Sequence, residues 1–291
     1  MKSNLCAVIA ALMLMFTGHA SSQVQHSHPD LAFPKEAREL SMFSPIAMGI
    51  WKPEGMGPFP AIILVHSCGG MKQQLDLWRK ESIRRGYVAF IIDAFTSRGS
   101  PNCRPAAPIP MTRGVKDVLD AAAHLRSLPF VDKNKIATVG FSWGAMAGLL
   151  AGSTGYAADA APGLDRIASA VALYPACYIA PFGSFPGNEY LRSDLATPTL
   201  LLLGENDTET PPDECLSRTA AHRERSNPLE VHVFKGATHC WDCSDQHGQL
   251  WSPPWAGSRQ VVYTYDSSIT EQSVQRAFEF LGRQMKIEPR K

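Results

Sequence analysis

Three residues in separate parts of the chain have the types, order and surroundings of a nucleophile, an acid and a base. Ser142 stands between two glycines in "VGFSWGAMAG" (Val139 to Gly148), Asp207 stands in "LLLLGENDTETPP", and His239 stands in "VHVFKGATHCW". A serine hydroxyl attacks poorly until a base takes its proton. The base in turn needs an acid to fix its tautomer and hold its charge. Such a trio can attack an ester-type carbonyl, and the chain order Ser, Asp, His is the order that accompanies a G-x-S-x-G turn. The rivals read as weaker. His232 alternates with Val231 and Val233 inside an apolar run, His222 lies in a polar stretch, and His247 lies in a loop. Glu205, Glu209 and Asp213 flank Asp207 and read as surface charges, with Glu205 the best substitute for the acid.

The tetrahedral oxyanion of such an attack needs two backbone donors. The N–H of Trp143, next after the nucleophile, is one. The other belongs to "HSCGG", where Ser67 is favoured and Cys68 is the alternative. His66 could act as a second base, but its place at a strand end favours a structural hydrogen-bonding role.

These residues need elements to position them. "AIILVHSCGG", "YVAFIIDAF", "KIATVG", "IASAVALYP", "TPTLLLLGEND" and "LEVHVFKGATH" are short apolar runs that read as strands buried on both faces. "PIAMGIWKP" reads as an earlier strand. Helical patterns fill residues 72–86, 112–128, the stretch "WGAMAGLLAG" and the closing "ITEQSVQRAFEFLGRQM". Strands alternating with helices predict an α/β fold with a mostly parallel, doubly wound sheet flanked by helices. Functional loops then gather at the carboxyl ends of the strands. Ser142 follows a predicted strand and opens a predicted helix, the context its motif requires. Gly140 and Gly144 are expected where neighbouring backbone leaves no room for a side chain.

The chain has 291 residues, 45% hydrophobic and 19% charged, with a formal net charge of +1. A sizeable core is therefore expected, and no basic run points to nucleic acid. Met1-Lys2, the apolar run Leu5–Phe16, and the small residues Gly18 and Ala20 have the layout of a secretory signal peptide spanning 1–20. The alternative is a membrane anchor, but the run is shorter than the roughly 20 apolar residues of a span. Residues 21–40 read as a leader and 41–291 as a single domain, with no membrane span after cleavage. Export leaves Cys68, Cys103, Cys177, Cys215, Cys240 and Cys243, an even number that suggests disulfides. Cys68 could meet Cys103, and Cys240 or Cys243 could pair with Cys215. Zinc or redox chemistry at "HCWDC" is the competing reading of that pair, but the chain has no second C-x-x-C to support it.

Taken together, "AIILVHSCGG", "RRGYVAFIIDAFTSRG", "VGFSWGAMAG", "YPAC", "LLLGENDTETPP" and "FKGATH" give residues 40–285 a resemblance to the dienelactone hydrolase family of α/β-hydrolases. The resemblance implies a hydrolase of carboxylic esters or lactones that acts on a small molecule with no cofactor and no metal. The family enzyme carries a cysteine at the Ser142 position and a glutamate where His66 stands. It also has an arginine shortly past the catalytic histidine, where this chain has "CWDC". Arg98 lies near a second substrate arginine of the family. A general serine esterase on the same scaffold is therefore the expectation. His66, Cys68, Arg98 and Trp241 are expected in the substrate pocket. Its roof should come from the 96–111, 177–194 and 240–257 segments, with Trp143, Trp251 and Trp255 adding aromatic walls. The competing readings are a prolyl-oligopeptidase-like peptidase and a non-catalytic binding or redox protein.

Overall fold

The computed structural model describes residues 30–33, 39–40, 46–103, 109–181, 186–222, 229–253 and 259–287. The predicted signal segment lies outside the described residues.

The strands in chain order are β1 (Glu39–Leu40), β2 (Ala47–Trp51), β3 (Phe59–Val65), β4 (Val88–Ile92), β5 (Val131–Phe141), β6 (Ser169–Leu173), β7 (Tyr178–Ile179), β8 (Asn188–Glu189), β9 (Thr199–Gly204), β10 (Leu229–Phe234), β11 (Leu250–Trp251) and β12 (Val261–Val262). The helices are α1 (Gln74–Arg84), α2 (Met111–Ser127), α3 (Trp143–Ala151), α4 (Thr154–Ala160), α5 (Pro212–Thr219) and α6 (Ser267–Met285). Eight strands form one sheet in the order β1-β2-β4-β3-β5-β6-β9-β10. From β4 to β10 every pairing is parallel, and β2 and β1 join antiparallel at one edge. This is the expected α/β architecture.

The apolar runs lack a polar alternation because helices cover both faces of the sheet. Along β3, Ala61, Ile63 and Val65 point into the core beneath α2, α3 and α4. Ile62 and Leu64 point into the core beneath α1 and α6. That period of two is the pleat itself. Trp78 of α1 stacks on Phe278 of α6 at 6.2 Å and binds the second core across two helices.

The chain before residue 41 also contributes. Leu31 is buried and Phe33 packs edge-on against Phe90, while Glu39–Leu40 pair with Ala47–Met48. Three disulfides brace the loops: Cys68–Cys103, Cys177–Cys215 and Cys240–Cys243. The first matches expectation. The expected pairing of Cys215 with Cys240 or Cys243 is wrong. Cys215, on α5, sits 4.9 Å (Cα–Cα) from Cys177. Cys240 and Cys243 close a tight turn with each other, where Cys243 N–H donates to Cys240 C=O at 3.0 Å.

Candidate active site

Strand β5 delivers Ser142 to a turn that ordinary backbone avoids. Ser142 has φ = 49° and ψ = −109°. A non-glycine residue in such a conformation costs on the order of 1–3 kcal/mol and persists only where its surroundings enforce it. Two glycines make the turn possible. A Cβ on Gly140 would lie 2.3 Å from Gly144 O, and a Cβ on Gly144 would lie 2.2 Å from Val65 O. The elbow is thus pressed against the end of β3, and any side chain there would push the two apart. The Ser142 N–H is tied to Leu173 C=O at 3.0 Å, anchoring the turn to β6. Helix α3 begins at Trp143, so its first-turn N–H groups and its positive dipole end lie directly behind the serine.

The end of β3 carries the other side of the site. His66 is fully buried, and burial pushes its pKa down. Its Nε2 accepts from Ala94 N–H at 3.0 Å, so Nδ1 carries the proton and donates to Ser67 C=O at 2.8 Å. Its ring stacks on Trp143 at 5.8 Å. His66 is therefore a neutral strut that pins the Ser67 peptide, as its strand-end position suggested. It does not line the pocket. Ser67 itself does, and so does Cys68, whose disulfide to Cys103 and carbonyl bond from Cys103 N–H hold the loop.

Asp207 and His239 arrive from the loops after β9 and β10. Asp207 Oδ2 accepts from His239 Nδ1 at 2.7 Å and from Thr210 Oγ1 at 2.8 Å. Its Oδ1 accepts from the backbone N–H groups of Glu209 and Thr210, each at 2.9 Å. With Nδ1–H committed to the carboxylate, Nε2 is the nitrogen free to act as base. Both residues are buried. Burial opposes a charged imidazole, but the carboxylates of Asp207 and Glu209 and the bond to Asp207 outweigh it and hold His239 at about 9. Ser142 and His239 line one cavity of about 200 Å³ together with Ser67, Cys68, Lys72 and Glu209.

Several expected pocket residues lie elsewhere. The Arg98 side chain is wholly buried. Its Nη1 and Nη2 donate to Asp117 Oδ2 and Oδ1 at 2.6 and 2.8 Å, and Arg113 Nε donates to the same carboxylate at 3.0 Å. It braces the loop after β4 against α2 and cannot meet a substrate. Trp241 is buried in the core, where Nε1 donates to Ser273 Oγ at 2.8 Å, because its position beyond His239 faces α6. Trp143 packs on Phe95 at 4.8 Å and on His66, directly after Ser142 in the chain. Trp251 does line the cavity, and Trp255 lies outside the described residues. Asn102 of the proline-rich loop and Cys240, Gln246 and Gln249 line it as well. Among the described residues none from 177–194 does so, since Cys177, Tyr190 and Leu191 pack into the core instead.

The rival acids and bases separate in the same way. Glu205 is exposed and accepts from Gly236 N–H at 2.9 Å, so it ties a turn. His232 packs against Phe234, and His247 Nδ1 accepts from Tyr265 N–H. Glu209 is the residue the sequence reading missed. It is buried, and its Oε2 lies 3.7 Å from His239 Nε2. Nothing local marks it, because Tyr263 and Trp251, which hold its carboxylate, follow more than 40 residues later in the chain.

Comparisons with known proteins give the family and the fold. Residues 46–285 match the model of the dienelactone hydrolase family. A Yersinia pestis protein named as a carboxymethylenebutenolidase is 25% identical over 231 residues, covering 73% of this chain and 78% of the relative. Among solved structures, apo Thermogutta terrifontis esterase 2 superposes with a TM-score of 0.62 at 20% identity, covering 89% of this chain and 98% of that one. MGS-M1, an α/β hydrolase from a deep-sea metagenome library, gives 0.56 at 15% identity over 78% and 85% of the two chains. At those identities the structures speak for the fold, and the family match over most of the chain speaks for the chemistry. The chain belongs to the dienelactone hydrolase family of α/β-hydrolases and is a carboxylic ester hydrolase.

Proposed function

We propose that the protein cleaves small carboxylic esters or lactones through a Ser142–His239–Asp207 triad and an acyl-enzyme. The observation that carries this reading is the 2.7 Å bond from His239 Nδ1 to Asp207, with His239 lining the same cavity as Ser142 on its positive-φ elbow. Ser142 Oγ attacks the carbonyl carbon as its proton passes to His239 Nε2. The carbonyl electron pair moves onto oxygen, where the N–H groups of Trp143 and Ser67 stabilise the oxyanion. His239 then protonates the leaving alkoxide, and the collapsing intermediate leaves Ser142 acylated. Water, activated by the same nitrogen, hydrolyses the acyl-enzyme and restores the serine. Asp207 holds the Nδ1–H tautomer and balances the imidazolium charge throughout.

The cavity is smaller than the roughly 300–1,000 Å³ of sites for drug-sized ligands. Its polar wall of Asn102, Gln246, Gln249 and Lys72 suits a short, oxygen-rich substrate. The paired cysteines fit an oxidising compartment, and with the layout of residues 1–20 they support export to the periplasm or medium. Residues 41–291 act as one catalytic unit in this reading, with Leu31 and Phe33 packed against its core.

The test is covalent labelling by a fluorophosphonate. Thermogutta terrifontis esterase 2 is known phosphorylated by paraoxon, so the reagent class suits this fold. The wild-type protein labels at Ser142 and hydrolyses short 4-nitrophenyl esters, while Ser142→Ala and His239→Ala do neither. Equal labelling of Ser142→Ala would exclude this serine as nucleophile. Turnover of amides without preference for esters would move the assignment to a peptidase.

A further inference from the structure

The mechanism above makes no use of Glu209, although this carboxylate is 3% exposed and lines the catalytic cavity. Burying a carboxylate is costly unless donors surround it. Here Tyr263 O–H donates to Oε2 at 2.8 Å and Trp251 Nε1–H at 3.2 Å. Trp251 ends β11, and Tyr263 directly follows β12, the strand paired antiparallel with it. The same Oε2 stands 3.7 Å from His239 Nε2. That nitrogen has to take the proton of Ser142. The imidazole therefore lies between two carboxylates, Asp207 on Nδ1 and Glu209 on the Nε2 side.

We propose that Glu209 is a positioning residue for the hydrolysis: it holds the imidazole of His239 from its Nε2 side and favours the protonated ring, so the free enzyme becomes active when His239 loses its proton. The proposal rests on the reading of His239 as the catalytic base. Proton loss to water leaves a neutral ring that no longer attracts Glu209, and the Nε2 lone pair is then available to Ser142 Oγ. When Oγ attacks, its proton moves to Nε2 and the imidazolium re-forms between the two carboxylates. Glu209 neither gains nor loses a proton in the cycle. Its charge lowers the fraction of enzyme with a free base at neutral pH, and it stabilises the imidazolium once attack begins.

Other titratable groups also face His239. Asp207 is on its own loop after β9. Tyr174, at the end of β6, places its ring 4.7 Å from the imidazole. Asp242, in the turn just beyond His239, accepts from Tyr174 O–H and Trp78 Nε1–H. Tyr263 follows β12, its ring 5.7 Å away, and Lys72 in the cavity wall precedes α1. Glu209 is the carboxylate on the Nε2 side. Burial pushes its own pKa up, and the His239 charge and the Tyr263 bond work against that rise.

The experiment compares kcat/KM against pH, from about 5.5 to 10, for the full-length protein and Glu209→Gln with 4-nitrophenyl acetate. The amide keeps the shape and can still accept from Tyr263 and Trp251. Without the charge, the acid limb moves down by about 1–3 pH units. The variant is then about tenfold or more faster than wild type at pH 6, and it falls below wild type on the alkaline plateau. A merely structural residue would lower melting temperature and plateau together and leave the limb in place, and that result overturns the proposal. If Glu209→Gln does not fold, Tyr263→Phe weakens the hold on Glu209 and shifts the limb the same way by less. NMR titration of the wild-type His239 ring gives a third measure, and a value near 6.5 also overturns the proposal. If His239→Ala keeps wild-type activity, the assignment of the base fails instead.

Discussion

Asp207→Asn tests the proposed role of Asp207 in the triad, because it keeps the shape and removes only charge and one acceptor. Asp207 accepts four bonds: from the N–H groups of Glu209 and Thr210 on Oδ1, and from Thr210 Oγ1 and His239 Nδ1 on Oδ2. An asparagine has one oxygen for these two sets. The two backbone N–H groups cannot rotate away, so the oxygen stays with them and the new amide NH₂ faces His239. Two donors cannot face each other at 2.7 Å. The ring escapes by moving its proton from Nδ1 to Nε2, which turns the base toward Ser142 as a donor. Loss of the correct tautomer in a Ser-His-Asp arrangement costs about 10⁴ in kcat, or roughly 5.5 kcal/mol of barrier. The assay is single-turnover and steady-state hydrolysis of a 4-nitrophenyl ester, with circular dichroism to confirm the fold. The acylation step should carry the loss, and KM should change little. An Asp207→Asn enzyme retaining more than about a tenth of wild-type kcat would refute the hydrogen-bond reasoning.

Five further outcomes follow from the same structure. With His239 held at about 9, kcat/KM on a neutral ester should rise about 50-fold between pH 7 and pH 9, whereas an unperturbed histidine would give almost no rise. The folded-state value lies above the unfolded 6.5, so this residue's contribution to stability is complete below pH 6.5 and is lost as pH climbs through 9. Thermal melts should therefore show stability falling as activity rises, by on the order of 3 kcal/mol from this group. Gly144→Ala puts a methyl group 2.2 Å from Val65 O and should cost about 1–3 kcal/mol in denaturant unfolding and most of the activity, since β3 carries Ser67. Asp117→Asn leaves Arg98 and Arg113 without their buried carboxylate, and an unfolding loss of about 3–5 kcal/mol is expected. Replacing Cys177 and Cys215 together by alanine should lower stability by about 2–4 kcal/mol and spare catalysis at 25 °C, because this bridge lies outside the cavity wall.

The elements were legible because each is written in local pattern. The strand runs, the helical spacings and the closing amphipathic helix follow from periodicity, and the structure places them within a few residues of expectation. The longest difference is β5, which starts at Val131 and not in "KIATVG", because Phe59 N–H reaches across to Phe130 C=O and Val131 pairs beside it. Long-range pairing of that kind has no local signature. The same limit explains Arg98, which sequence likeness placed at the substrate. Its charge is consumed by Asp117, 19 positions later on α2.

What the sequence alone determined is the elbow and the strand ends that carry Asp207 and His239. A strand, two glycines around a serine and a following helix describe one short stretch of backbone, and Asp207 and His239 close two further strands of the same sheet. A parallel sheet puts the ends of its strands on one edge, so their meeting is a matter of topology. The tertiary structure alone decided which charges stay in water. Glu205 and Glu209 look alike in the chain, yet one is exposed and the other is buried against His239. The difference lies in Trp251 and Tyr263, which supply the donors that a buried carboxylate requires. A side chain's ionisation and reach depend on groups distant in sequence, and only the folded chain brings those groups within hydrogen-bonding distance.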